Sequence, residues 1–101
     1  MKYNYNFNLI LPFEHKQHLD AVTGISRTQY IKNLIDNPPL FKRGEVGNYQ
    51  TEVQYAIHLT LPRDYKHMLC DRAYDLRTNV TQYINHLIAL DIDSKNANVE
   101  N

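Results

Sequence analysis

The chain has 101 residues, 43% of them hydrophobic, and its 11 basic residues balance its 11 acidic ones. This length predicts one domain, and the lack of a long apolar run or an apolar N-terminal segment excludes a membrane span and a signal peptide. We therefore expect a cytoplasmic protein. The lone Cys70 excludes a disulfide framework. The zero net charge argues against nucleic-acid binding, because phosphate attraction normally supplies much of the affinity.

The first predicted element is a strand that ends at Pro12. Its residues alternate between two faces, as in a half-buried strand. The inward face consists of Tyr5, Phe7, Leu9 and Leu11. The outward face consists of Asn4, Asn6, Asn8 and Ile10. Proline then suits the first position of a helix, so a helix is predicted over about residues 13–23.

A turn and a second helix follow. Gly24 is predicted to adopt the left-handed conformation that ends a helix. Ser26 and Gln29 have the spacing of a capping box, which predicts the start of the next helix. That helix continues through Ile31, Leu34 and Ile35, and it ends before Pro38, because proline cannot continue a helix.

The same order of elements recurs about 50 residues later. A second strand ends at Pro62, and a helix is predicted from its apolar spacing. Asn79 and Gln82 repeat the cap, and a last helix follows. The interval from Pro62 to Gln82 is three residues longer than the interval from Pro12 to Gln29, so the first helix of copy one should be almost one turn shorter.

The repeat defines the domain organisation. Copy one covers about residues 3–37, a connector covers 38–51, and copy two covers about 52–92. Each copy is too small to bury a core alone, so we predict one intertwined domain over residues 1–92. Residues 93–101 are polar and are predicted to form a disordered tail.

The order strand, proline, helix, turn and helix resembles the ribbon-helix-helix family over residues 4–36 and 53–92. The closest match runs from Gly24 to Ile31 (Gly-Ile-Ser-Arg-Thr-Gln-Tyr-Ile) and resembles the family pattern Gly-h-Ser-Arg-Ser-Glu-h-Ile, in which h is hydrophobic. The tract from Arg77 to Ile84 matches more loosely. Tandem copies in one chain are similar to the TraY-type proteins of conjugative plasmids, and residues 39–44 resemble their inter-repeat segment.

The resemblance implies a mainly α fold with a two-stranded antiparallel β-ribbon, in the order β-α-α-β-α-α, as a pseudo-two-fold single-chain dimer. It also implies sequence-specific binding of double-stranded DNA by the ribbon in the major groove. TraY-like proteins are relaxosome accessory proteins in plasmid conjugation. The implied role is therefore in conjugation or transcription regulation, with further copies on adjacent sites and a relaxase as partners.

The resemblance also assigns contact residues. The outward positions two, four and six residues before each proline contact bases, which selects Asn6, Asn8, Ile10, Ala56, His58 and Thr60. The same face continues with Asn4 and Gln54. The phosphate contacts map onto two helix starts, Ser26, Arg27, Thr28, Asn79, Val80 and Thr81, where free N–H groups favour an anion. Asn suits adenine and Thr suits a thymine methyl group, and the two strands differ, so we expect an A·T-leaning, non-palindromic site.

Other functions remain open alternatives. A stand-alone transcriptional repressor or an antitoxin is the nearest one. A protein-interaction module that has lost DNA binding belongs to another class, and neutral charge would fit it. Solvation alone also explains an Asn-rich strand face. His15 and His18 have a spacing that could hold a metal, but no third ligand lies nearby in sequence, so we expect no metal and no cofactor. No nucleophile–base constellation indicates an enzyme.

Overall fold

The computed structural model describes residues 4–38, 46–49 and 51–99, with the side chains of residues 96–99 left out. Residues 39–44, which resemble the TraY inter-repeat segment, lie outside this part. The elements are, in chain order, β1 (Asn4–Pro12), α1 (Phe13–Ala21), α2 (Arg27–Asp36), β2 (Gln54–Pro62), α3 (Asp64–Asp75) and α4 (Val80–Val99). No helix in the described ranges is both long and apolar enough to cross a membrane.

The two strands pair along their whole length as an antiparallel ribbon. The register runs from Asn4 opposite Pro62 to Pro12 opposite Gln54. At its centre Asn8 lies opposite His58, its own counterpart in the repeat. Because directly opposed side chains project from the same side of a sheet, one ribbon face carries the outward residues of both strands.

The other ribbon face packs against the helices in a single hydrophobic core that draws on both copies. In the described chain 16 hydrophobic residues are buried. The ribbon supplies five of them, Leu9, Leu11, Ile57, Leu59 and Leu61. The expected mainly α class is therefore wrong, because the sheet forms a full layer of this core. The fold is α+β, and its order, β-α-α-β-α-α, is compatible with a tandem ribbon-helix-helix arrangement.

The helices of the two copies differ in length. α1 has 9 residues and α3 has 12, which confirms the shorter first helix expected from the proline spacing. α2 has 10 residues, whereas α4 has 20. α4 thus continues through residues 93–99, where the sequence predicted a disordered tail. The additional turns are held by contacts near their start, where Lys95 Nζ lies 3.3 Å from Asp91 Oδ2 and 5.5 Å from the centre of the Tyr30 ring.

Two turns lead into α2 and α4. Gly24 has a φ of 88°, which confirms its predicted left-handed conformation. In copy two Arg77 takes the corresponding position with a φ of 58°. There the N–H of Thr78 donates to the carbonyl of Ala73, and the N–H of Arg77 donates to that of Tyr74. This hydrogen-bond pair is a Schellman motif, which normally places glycine where Arg77 lies.

Candidate nucleic-acid interface

The predicted base-contacting residues form one continuous surface. They are three directly opposed cross-strand pairs, Asn6–Thr60, Asn8–His58 and Ile10–Ala56. All are exposed except Ile10, which is half-buried. Asn4 and Gln54, the further ribbon residues, are exposed at opposite ends of the same face. Alternation in the sequence therefore predicted correctly which side chains share this surface.

Two cross-strand hydrogen bonds order the polar side chains. Thr60 Oγ1 donates to Asn6 Oδ1 at 3.2 Å, and His58 Nδ1 lies 3.0 Å from Asn8 Oδ1. Because an amide oxygen only accepts, Nδ1 of His58 carries the proton, which leaves Nε2 of the neutral ring as an acceptor. Both asparagine amide groups then have their N–H donors available, together with the second lone pair of each oxygen. A purine edge offers complementary groups, since adenine N7 accepts and its N6 amine donates.

The ribbon face has one polar end and one apolar end. Asn6–Thr60 lies on one side of the central Asn8–His58 pair, and Ile10–Ala56 lies on the other. The polar end can exchange hydrogen bonds with base edges, whereas the apolar end can contact a thymine methyl group. The two halves of the surface therefore differ in chemistry, as the sequence comparison of the strands indicated.

The start of α2 has the predicted cap and a basic side chain. The N–H of Gln29 donates to Ser26 Oγ at 3.1 Å, and Thr28 follows in the first turn. Only half of the capping box forms, because the Gln29 side chain donates to Asn33 instead. Arg27 Nη2 lies 2.7 Å from Asp20 Oδ1 on α1, so its charge is engaged in an exposed ion pair. A phosphate at this position would have to compete with that carboxylate.

The start of α4 lies beside the ribbon. The N–H of Gln82 donates to Asn79 Oδ1 at 2.8 Å, which makes Asn79 the cap. Residues 79–81 line a groove of about 400 Å³ that also contains Ile10 and Gln54 of the ribbon. The structure thus brings the second predicted phosphate set, including Val80 and Thr81, next to the apolar end of the ribbon face.

Asn85, which the sequence analysis missed, fixes α4 against β1. Its side chain is buried and donates to the carbonyl oxygens of Ile10 and Thr81, both at 2.9 Å. Its Oδ1 lies 2.7 Å from Nδ1 of His15 on α1, so His15 donates to it. Burial lowers the pKa of His15 below its ordinary value, although the hydrogen bond to Asn85 acts in the opposite direction. The available signal was a pair of polar residues, Asn85 and His86, between the apolar residues Ile84 and Leu87.

The two histidines of α1 have separate partners. His18 Nε2 lies 2.9 Å from Tyr30 Oη and 3.2 Å from Asp91 Oδ2, and Tyr30 also donates to Asp91. Burial raises the pKa of Tyr30, and Asp91 adds to the effect. For Asp91 burial acts to raise the pKa, but hydrogen bonds from Tyr30, His18 and Lys95 outweigh it and lower the pKa. No group of three potential metal ligands occurs within the described ranges.

Comparison of the chain with protein-family models, curated proteins and solved structures finds no match.

Proposed function

We propose that this protein binds double-stranded DNA sequence-specifically, with the outer face of its β-ribbon in the major groove. The observation that carries the proposal is the arrangement of Asn6, Asn8, Ile10, Ala56, His58 and Thr60 as three opposed pairs on one exposed face. A two-stranded ribbon has the width to enter the major groove, where base pairs are distinguishable by their donor, acceptor and methyl pattern. This is a binding function without catalytic chemistry.

The helix starts are the proposed phosphate contacts. Both have free N–H groups and the positive end of a helix dipole, which attract an anion without a formal positive charge. This matters because the chain has no net charge. Arg27 would leave Asp20 for a backbone phosphate, whose two non-bridging oxygens can accept a bidentate pair of hydrogen bonds from the guanidinium. The start of α4 lies close enough to the ribbon to contact the backbone beside the bases that Ile10 contacts.

The resemblance to TraY-type proteins suggests the biological setting. We propose a role in the cytoplasm as a relaxosome accessory protein in plasmid conjugation, a transcription regulator, or both. Further copies on adjacent sites and a relaxase are the proposed partners. The unequal ends of the ribbon support a non-palindromic site, since a palindrome would present the same bases to an asparagine–threonine pair and an isoleucine–alanine pair.

A second candidate is a protein-interaction module that has lost DNA binding. The Arg27–Asp20 ion pair favours it, because the only cation at the predicted phosphate contacts is already neutralised. The two candidates differ in their salt dependence. DNA affinity falls steeply with salt in proportion to the phosphates neutralised, whereas protein binding through an uncharged ribbon face does not.

The test begins with selection of the purified protein against a random duplex library, followed by salt titration on the enriched duplex. We expect an A·T-leaning, non-palindromic motif. Asn8→Ala should then cost about 1–3 kcal/mol on the cognate duplex only. Arg27→Ala should weaken binding to all duplexes about equally and reduce the salt slope by about 1. Lys66→Ala, at an exposed position on α3, is the matched control and should change neither.

Two outcomes would contradict the proposal. No enriched motif, with weak binding that is insensitive to salt, would favour the protein-interaction module. An equal loss on every duplex for Asn8→Ala would remove the base-reading role from the ribbon while leaving general DNA binding in place.

A further inference from the structure

A second concave surface lies at the end of the ribbon where β1 finishes and β2 begins. It is a groove of about 650 Å³ between the start of α1 (residues 12–15), the segment before β2 (residues 48, 49 and 51–53) and α4 (residues 89, 92 and 93). We name it the end groove. It contains none of the predicted base or phosphate contacts.

The wall of the end groove is fixed by hydrogen bonds. The N–H of Tyr49 donates to Gln82 Oε1 at 2.8 Å, and Tyr49 Oη lies 2.8 Å from His86 Nδ1. Gln82 Nε2 in turn donates to Asn48 Oδ1 at 3.2 Å. The Tyr49 ring also packs 5.2 Å from the ring of His15. A groove whose wall is already ordered loses less conformational entropy when it binds a partner.

The lining combines exposed apolar side chains with acidic ones. Phe13 is 53% exposed and Val53 is 60% exposed. The Phe13 ring packs 6.0 Å from that of Tyr55, which is exposed beside the groove. The acidic residues are Glu14, Glu52 and Asp93, and no described lining residue is Lys or Arg.

The charge is local to the groove. The chain as a whole is neutral, yet three carboxylates line the groove and none of its described lining residues is basic. Burial lowers the pKa of His15, so this imidazole does not supply a compensating cation near neutral pH. Burial and the charge of Asp93 both raise the pKa of Tyr49, which keeps its hydroxyl protonated as a hydrogen-bond donor or acceptor.

We propose that the end groove is the docking site for a segment of a partner protein that presents an arginine next to an apolar residue. Arginine fits both features of the lining, because its planar guanidinium binds carboxylates in a bidentate manner and stacks on aromatic rings. The neighbouring apolar residue would cover Phe13 and Val53. The volume of the groove is within the range of pockets that bury a drug-sized ligand.

The same charges exclude the partner proposed for the ribbon. Three carboxylates would repel a phosphodiester backbone, so the end groove does not extend the DNA surface. The ribbon face and the groove share none of the predicted contact residues, although Tyr49 lines both the end groove and the groove beside residues 79–81. The inference does not depend on the proposed function, since it rests on a different set of side chains.

The test is selection of random short peptides displayed on phage against the full chain. We expect an enriched consensus with arginine beside an aromatic or aliphatic residue. Synthetic peptides with that consensus should bind the variant Glu14→Gln/Glu52→Gln/Asp93→Asn about tenfold more weakly or worse, because charge-assisted hydrogen bonds are lost. The control Asp64→Asn/Asp71→Asn/Asp75→Asn removes equal charge from α3 and should retain binding.

Four results would overturn the proposal. One is no enrichment, and another is a consensus without a basic residue. The third is equal binding by the two triple variants, with circular dichroism showing that both are folded. Self-association of the chain that the groove variant abolishes would instead identify a second copy as the occupant.

A peptide with citrulline in place of arginine has nearly the same shape without the charge. Its affinity for the unaltered chain should fall to that of the arginine peptide for the groove variant.

Discussion

Replacing Asn85 with leucine should reveal how much the contact between α4 and the ribbon contributes to stability. Leucine excludes water from the site but can neither accept from His15 nor donate to the carbonyl of Ile10, so two polar groups lose their partner. An unsatisfied buried polar group costs about 1–3 kcal/mol, so the two groups together cost about 2–6 kcal/mol. The third bond, to Thr81 within the same helix, adds little because that carbonyl is part of the helical hydrogen-bond ladder.

Urea unfolding followed by circular dichroism measures this loss. With an m-value of about 1–3 kcal/mol/M, a destabilisation of about 3 kcal/mol shifts the midpoint by about 1 M or more. His67→Gln, on the exposed surface of α3, should change the free energy of unfolding by less than about 0.5 kcal/mol. The double variant His15→Phe/Asn85→Leu removes both partners of one bond, so it should be more stable than the sum of the single variants predicts. The reasoning would be refuted if Asn85→Leu lowered the free energy of unfolding by less than about 0.5 kcal/mol. It would also be refuted if the loss in the double variant equalled the sum of the losses in the two single variants.

Two further predictions concern stability. Arg77→Gly should raise the free energy of unfolding by roughly 0.5–1 kcal/mol, because glycine adopts the left-handed conformation without a Cβ penalty; an unchanged melting temperature would mean that the arginine side chain makes a compensating contact. Stability should also fall as the pH drops below 6.5, since the unfolded chain then binds a proton that buried His15 resists. Urea midpoints at about pH 7.5 and about pH 5.5 measure this difference, and it should shrink in His15→Phe but persist in the exposed-site control His67→Gln.

Local patterns in the sequence predicted the parts of the fold that local physics determines. Period-two alternation identified the ribbon faces, and Ser26 and Asn79 were recognisable as caps from their spacing to Gln29 and Gln82. Gly24 was assigned its left-handed turn. These features depend on residues a few positions apart, so their signal lies within a short window.

The remaining features depend on partners far away along the chain. The contact between His15 and Asn85 joins residues 70 positions apart, and that between His18 and Asp91 joins residues 73 apart. The same long-range contacts explain the error at residues 93–99, where polar composition alone indicated disorder. Asp91 and Lys95 hold the next turn of α4 against Tyr30, and an existing helix extends at little cost in conformational entropy compared with starting a new one.

Corresponding positions are identical in the two copies of a homodimer. When the two copies are joined in one chain, these positions can differ. Gly24 and Arg27 in copy one correspond to Arg77 and Val80 in copy two. The arginine therefore follows the helix cap in copy one and precedes it in copy two. The ribbon shows the same divergence, since the counterpart of the Asn6–Thr60 pair is Ala56–Ile10. Under the proposed function each half of the ribbon then contacts its own half-site, and the two half-sites differ in sequence. A palindrome built from either half of the selected site should therefore bind more weakly than the selected site, whereas a symmetric reader would bind one of the two palindromes at least as tightly.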